Sequence, residues 1–193
     1  MAKDELKTDT DNLVQDFLDG DAQAFNRLVL LYQTKIYNLA LNYVKSPEEA
    51  KDLAQDIFVT VYRSLPKLRE KEKFTSWLYQ IAINHCRNRY KKLSRRGYFS
   101  NVSLDDEESY LQLPGDEGPE KLLQRQNTIN LVRSTIDSMA DAEREIILLR
   151  DVQELAYEEI STILDIPLGT VKSKLNRARN ALKDRLKKIY QDL

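Results

Sequence analysis

The sequence predicts an all-α protein of two small helical domains joined by a flexible acidic linker. Three observations predict it. Only five Gly and five Pro occur in 193 residues, among abundant Leu, Ile, Lys, Arg, Glu and Gln, a composition that favours helix. Apolar residues recur at three- and four-residue steps through several long stretches. Between those stretches, "GYFSNVSLDDEESYLQLPGDEGPE" (97–120) collects three of the five Gly and two of the five Pro and shows no sustained period, which marks a linker. The expected divisions are a short N-terminal segment (1–21), an N-terminal helical domain (22–96), the linker (97–120) and a C-terminal helical domain (121–193).

The first dozen residues read as frayed. From Ala24 to Val44, Phe25, Leu28, Val29, Tyr32, Ile36, Leu39, Ala40 and Tyr43 form the stripe of an amphipathic helix. "SPEE" (46–49) then opens a second helix: Ser46 suits the cap, Pro47 the first helical position, and Glu48 and Glu49 the electropositive first turn. That helix offers Ala50, Leu53, Ala54, Ile57, Phe58, Val61 and Leu65 to a core and stops before Pro66. A charged loop, "KLREKEKF" (67–74), leads to a third helix from about Thr75 to Leu93, with Trp77, Leu78, Ile81, Ala82 and Cys86 inward. Helical patterning resumes at Lys121 and continues to the end as roughly four helices.

Charge is segregated although the net value is −1. Seven bases and no acid lie between Lys73 and Leu104, seven acids and no Lys or Arg between Asp105 and Glu120, and eight bases with one acid between Leu168 and Ile189. This alternation suggests two anion-binding faces separated by an acidic tether. A single Cys excludes an internal disulfide framework and favours a reducing compartment. Met1 leads into a polar, acidic segment unlike a signal peptide, and no apolar run approaches the ~18 residues of a membrane span. The expected location is cytoplasmic, without direct membrane insertion.

The C-terminal domain carries a helix-turn-helix pattern. "YEEISTIL" (157–164) buries Ile160, Ile163 and Leu164, "DIP" (165–167) turns, and a second helix begins near Gly169–Thr170. At 100° per residue that helix puts Val171, Leu175, Ala178 and Leu182 on one stripe, and Ser173, Arg177 and Asn180, flanked by Lys172 and Asn176, on the other. Cations mixed with hydrogen-bonding groups suit a major groove, and Thr170 at the helix start is placed to cap and to offer its amide to a phosphate. The third helix of the N-terminal domain similarly presents Gln80, Asn84, Arg87, Asn88, Lys91 and Arg95 along its outer side. Phe74, Trp77, Tyr79 and Tyr90 lie nearby, where exposed rings stack on unpaired bases; Trp77 reads as core, and Phe74 fits either role.

"DLAQDIFVTVYRSL" (52–65), "FTSWLYQIAINHCRNRYKK" (74–92) and "LAYEEISTILDIPLGTVKSKLNRARNALKDRL" (155–186) together resemble the bacterial RNA polymerase sigma factors of the extracytoplasmic-function type. The resemblance covers roughly 22–95 and 121–187. It implies a region 2-like helical bundle and a region 4-like helix-turn-helix domain. It further implies that Asp52, Gln55 and Asp56 dock on the clamp of the largest subunit of core RNA polymerase. The loop Lys67–Phe74, with Phe74 and the adjacent backbone, would capture a base flipped from the promoter −10 element. Asn84 and Asn88 would read −10 bases, with Arg87 and Lys91 on the backbone. Lys172, Ser173, Asn176 and Arg177 would read the −35 element, with Thr170 and Arg150 on phosphates.

Lys172 stands where many relatives have Arg and lacks the fixed guanidinium fork. Asn176 replaces an aromatic residue found in some members, which leaves the −35 sequence open. The acidic linker fits a basic channel of the polymerase or a passive, self-repelling spacer. An anti-sigma factor is the other implied partner.

Three other classes account for less. A dimeric helix-turn-helix regulator explains residues 121–187 and leaves the N-terminal domain idle. A sigma mimic that titrates an anti-sigma factor has no need of DNA readers, which are intact here. An enzyme finds little support: there is no Gly-rich phosphate loop, and the lone His85 and lone Cys86 are adjacent on a helix, about 100° apart, too divergent for a dyad or a metal pair. No catalytic residue, metal or cofactor is therefore expected.

Overall fold

The computed structural model describes residues 2–98 and 119–191. Eight α-helices succeed one another there: α1 (Ala2–Leu18), α2 (Ala22–Val44), α3 (Pro47–Ser64), α4 (Phe74–Arg95), α5 (Pro119–Asp137), α6 (Asp141–Ile147), α7 (Tyr157–Leu164) and α8 (Leu168–Gln191). No strand occurs among the described residues. The expected linker falls mostly on residues 99–118, outside the described residues, and Pro119 and Glu120 already belong to the first turn of α5.

The N-terminal segment departs from the frayed reading. α1 lies against α2 and the start of α4, with Val14 fully buried and Leu13 and Phe17 packed on the core. The rings of Phe17, Phe25 and Tyr62 meet pairwise at 5.0–5.6 Å, joining α1, α2 and α3. The helix is fixed by tertiary packing of a few apolar side chains, which outweighs a weak local pattern.

Local chemistry sets the other boundaries. Asp21 caps α2 by accepting from the Gln23 amide at 2.9 Å. At its far end Lys45 turns left-handed (φ 58°), and Ser46 accepts from the Glu49 amide at 3.3 Å to start α3, with Pro47 in its first turn. Two short 3₁₀ turns, Leu65–Lys67 and Lys71–Lys73, carry the chain to α4. α2, α3 and α4 enclose the core of this half, which includes Leu28, Ile36, Leu39, Leu53, Ile57, Leu78 and Ala82.

In the second half α6 and α7 pack on α8. α6 runs into a π-helical turn, Leu148–Val152, closed by the Gln153 amide donating to the Leu148 carbonyl at 2.9 Å. The extra residue in this turn rotates the chain leading to α7 and directs Gln153 inward, 7% exposed. Asp165 ends α7 in a left-handed conformation (φ 53°), and the Ser161 hydroxyl donates to the Ile166 carbonyl at 2.6 Å, tying the turn to α7. Val171, Leu175 and Ala178 of α8 are buried.

The two halves touch, principally through α4 and α7. Tyr79 and Ile83 of α4, outside the stripe read from sequence, are each 1% exposed, and the Tyr79 hydroxyl reaches Gln153 of the second half. The stripe read from sequence on α4 is thus too narrow, because this helix packs on two bodies rather than one.

Candidate nucleic-acid and partner interfaces

On α8, Lys172, Ser173, Asn176, Arg177 and Asn180 are exposed opposite the buried Val171, Leu175 and Ala178. The helix starts at Leu168, slightly earlier than expected. The Thr170 amide is consequently committed, donating to the Pro167 carbonyl at 2.8 Å, so only its half-buried hydroxyl remains to meet a phosphate. Asn180 donates to the Asn176 side-chain oxygen at 3.0 Å, which leaves the Asn176 amide group facing outward as a donor. Arg179 points away from this face and pairs with Asp151, whose carboxylate holds the guanidinium above its usual range. Arg150 is half-buried, donates to the Leu155 carbonyl at 2.8 Å and lies over the Tyr157 ring at 5.0 Å. It braces the start of α7 in this arrangement.

On α4, Asn84, Asn88 and Lys91 are exposed along one line and Gln80 is half-buried. Phe74 is not accessible: it is 2% exposed, edge-on to Tyr32 at 5.7 Å and tilted against Trp77 at 6.0 Å. A ring enclosed in this way offers no face to a base, so within 67–74 the exposed groups are Lys67, Arg69, Glu70, Glu72 and Lys73. Tyr79 is likewise withdrawn, donating to Gln153 at 2.9 Å.

Arg87 is engaged across the junction of the two halves. Its Nε and one terminal nitrogen donate to the two carboxylate oxygens of Glu145 on α6 at 2.9 and 2.6 Å. The Tyr43 hydroxyl donates to the same carboxylate at 2.7 Å. The Glu145 bond raises the Arg87 pKa further, against the opposing effect of burial. Next to it Arg144, 5% exposed, lies over the rings of Tyr43 (5.6 Å) and Tyr90 (5.2 Å) and reaches Asp141 at 3.1 Å. Its buried Nε has no hydrogen-bond partner among the described residues. Lys45 and Asp137 form a further ion pair between the halves. Sequence reasoning missed Arg144, Glu145 and Gln153. The one available signal was the surplus of apolar residues on α4, namely Tyr79 and Ile83 beyond the first stripe.

On α3, Asp52, Gln55 and Asp56 are exposed. Asp56 stands 3.3 Å from Arg89, which also pairs with Glu49 at 2.9 Å. Beside them, α2 and α3 frame a groove of about 670 Å³ lined by Val29, Tyr37, Ala54 and Phe58, with Lys51 and Gln55 at its rim. This is an apolar trough with charges along one edge, a form suited to a partner helix.

His85 Nε2 lies 3.2 Å from the Thr60 hydroxyl, and Cys86 is fully buried. Burial, and to a lesser degree Glu145, pushes the Cys86 thiol up, so it is no nucleophile. Among the described residues no cluster of three or more His, Cys, Asp or Glu could hold a metal ion, and no helix is long and apolar enough to cross a membrane.

Both halves of the chain match known proteins. The Sigma-70 region 2 family model matches residues 28–96, and the Sigma-70 region 4 model matches residues 129–182. The RNA polymerase sigma-H factor of Pseudomonas aeruginosa is 36% identical over 183 residues, covering 93% of this chain and 95% of its own. The ECF RNA polymerase sigma-E factor of Escherichia coli K12 is 36% identical over 182 residues, with the same coverage. Among solved structures, CnrH, in complex with the cytosolic domain of CnrY, superposes with a TM-score of 0.68 at 20% identity over 93% of this chain and 97% of that one. RpoE of Bartonella quintana, solved with the anti-sigma factor NepR, gives 0.62 at 24% identity over 86% and 98%. The two regions in order, with such relatives along nearly the whole length, make this chain a member of the extracytoplasmic-function (ECF) RNA polymerase sigma factors.

Proposed function

We infer that the chain binds core RNA polymerase and directs promoter-specific initiation, reading duplex −35 DNA with α8 and holding melted −10 DNA with α4 and the loop before it. The observation that carries this reading is the pair of separate faces, each mixing cations with amides. One comprises Lys172, Ser173, Asn176 and Arg177, the other Asn84, Asn88 and Lys91. Two weak readers on one platform gain selectivity through effective concentration. Extracting a base from the stack costs a few kcal/mol, which capture offsets only for the right base.

The acidic edge and apolar trough of α2 and α3 support the polymerase clamp as the partner of Asp52, Gln55 and Asp56. Relatives of this fold solved with CnrY and NepR support a protein regulator, an anti-sigma factor, for this chain as well. A channel-threading role of the acidic linker concerns residues 99–118, outside the described residues. The reading assigns no catalytic residue, cofactor or metal, and it locates the protein with its polymerase in the cytoplasm.

Mixing the purified chain with bacterial core polymerase and a genomic promoter library tests this. The expected result is a stable complex with discrete start sites, absent with either component alone. Asn84→Ala with Asn88→Ala should abolish promoter opening and leave the complex intact. Asp52→Arg with Asp56→Arg should release the polymerase, and full transcription by that variant would sink the clamp assignment. Tight palindrome binding by the free chain without polymerase would instead favour a dimeric regulator.

A further inference from the structure

α1 turns a hydroxyl into the bundle. Thr10 is 1% exposed, and Tyr32 on α2 is 3% exposed. Their oxygens lie 3.1 Å apart, and the Tyr32 hydroxyl lies 2.9 Å from Thr75 Oγ1 in the first turn of α4. Hydroxyls in series thus join α1, α2 and α4. A buried hydroxyl is costly unless it is bonded, and apolar groups of the same shape would fill this space at least as well. What the series adds is direction, because a satisfied buried network fixes angles and distances that apolar contact leaves loose.

A second tie leaves the same helix. Gln15 Nε2 donates to Asp19 at 3.0 Å, which directs Oε1 toward Lys71, whose Nζ donates at 3.4 Å. α1 also packs on the 3₁₀ turn Lys71–Lys73. Both ends of the segment 71–75 are therefore held from α1, one directly and one through Tyr32. The Tyr32 ring meanwhile encloses Phe74 edge-on at 5.7 Å. Arg69, Glu72, and the Glu70–Lys73 pair at 2.7 Å are left facing outward. Thr10 and Tyr32 are too enclosed to touch a DNA strand themselves.

Base capture is demanding of geometry. The cost of extracting a base is offset only if the receiving groups stand in place when it arrives, and small misplacements of such groups are costly. Resting on the assignment of the 67–74 loop to melted −10 DNA, we propose that α1 is the mount of that loop, and that Thr10, Gln15 and Tyr32 are positioning residues for base capture, acting through Thr75 and Lys71. α1 thereby contributes to promoter opening without contacting DNA.

The full chain is tested in two ways. Amide exchange of the free chain is read at Lys73 and Phe74, whose amides donate to the Glu70 and Lys71 carbonyls. Opening with core polymerase is read from 2-aminopurine placed in the −10 strand of a promoter recovered from the library, alongside polymerase affinity. Tyr32→Phe and Thr10→Val should each speed exchange at these amides and lower the opening equilibrium about fivefold, the effect of one ordinary hydrogen bond. Polymerase affinity, and exchange around Leu39 and Ile57, should not change. Thr10→Ser, which keeps the hydroxyl, should match wild type in both readouts. The double variant Thr10→Val with Tyr32→Phe should be no worse than Tyr32→Phe alone, because both cut one series.

Unchanged exchange at Lys73 and Phe74 in folded Tyr32→Phe and Thr10→Val would overturn the proposal. So would faster exchange with undiminished opening, additive losses in the double variant, or an equal loss in Thr10→Ser. A uniform rise in exchange through the bundle would reduce the series to a matter of stability and overturn it too. Should wild type with polymerase initiate on no promoter, the sigma reading falls. Exchange at the turn needs neither polymerase nor DNA and still decides whether α1 holds the loop.

Discussion

The hydroxyl of Tyr79 donates to the side-chain oxygen of Gln153 at 2.9 Å, joining residues 74 positions apart. Both are buried, Tyr79 to 1% and Gln153 to 7% exposure. Gln153 faces α4 because the π-helical turn before it rotates the chain, so a local irregularity of the C-terminal half determines how that half meets the N-terminal one. Single π-helical turns of this kind are frequent at functional sites.

Tyr79→Phe should loosen this junction without unfolding either half. The ring stays, and the Gln153 oxygen is left buried without its donor, a loss of about 1–3 kcal/mol from the junction alone. Helical content by circular dichroism should match wild type. Amide exchange should accelerate along the facing sides of α4 and α7 and stay unchanged around Leu28, Ile36 and Ile57. Uniform acceleration in the N-terminal core would mean that Tyr79 supports the bundle rather than the junction.

Lys172→Ala and Arg177→Ala should weaken binding of −35 duplex without affecting stability, because both side chains are exposed on the face of α8 opposite its core. A residue on the phosphate backbone lowers affinity uniformly across sequences and reduces the salt slope by about one. One on a base edge relaxes sequence preference and costs about 1–3 kcal/mol at a single position. The lysine, without a planar fork, is expected to behave in the first way and Arg177 in the second. Binding titrations at several salt concentrations on a set of single-base variants separate the two.

Leu175→Ala should act on stability instead. Leu175 is 2% exposed against α6 and α7, and truncation of such a side chain costs about 2–5 kcal/mol. Thermal melting should fall markedly. Loss of −35 binding should extend only as far as unfolding does at the assay temperature.

Much of this architecture was legible in the sequence. α2, α3 and α4 announce themselves through apolar spacing, and Ser46 with Pro47 marks a boundary that the structure realises. The turn at Asp165–Pro167 and the buried stripe Val171, Leu175 and Ala178 also emerge from period alone. The illegible part depends on contacts between distant segments. Nothing local in "DAEREII" (141–147) indicates that Arg144 and Glu145 meet Tyr43, Arg87 and Tyr90. Phe74 lies where loop becomes helix, and only the position of Tyr32 on another helix decides that its ring turns inward. α1 has too few apolar residues to show a period, yet Val14 and Phe17 suffice once α2 and α3 provide a surface.

Alkaline pH should destabilise the chain in a predictable window. Burial, with the nearby Glu145 as the next cause, raises the pKa of Tyr43 well above its ordinary 10.0. Burial raises Tyr79 similarly, and the Cys86 thiol well above its ordinary 9.0. Each group stays protonated in the folded chain at a pH where the unfolded chain has already lost that proton. Their contribution is therefore fully present below the unfolded pKa and is lost progressively as pH rises toward the folded one. Stability should stay flat with respect to these groups from pH 7 to about 9, then fall by up to about 1.4 kcal/mol per pH unit as Cys86 enters the window. Above about pH 10 the two tyrosines steepen the slope. Urea titrations between pH 7 and 11 measure this directly. Cys86→Ala should delay the onset by about one unit, to where the tyrosines begin. An unchanged onset in that variant would show that Cys86 ionises as freely in the folded chain as in the unfolded one, contrary to its full burial.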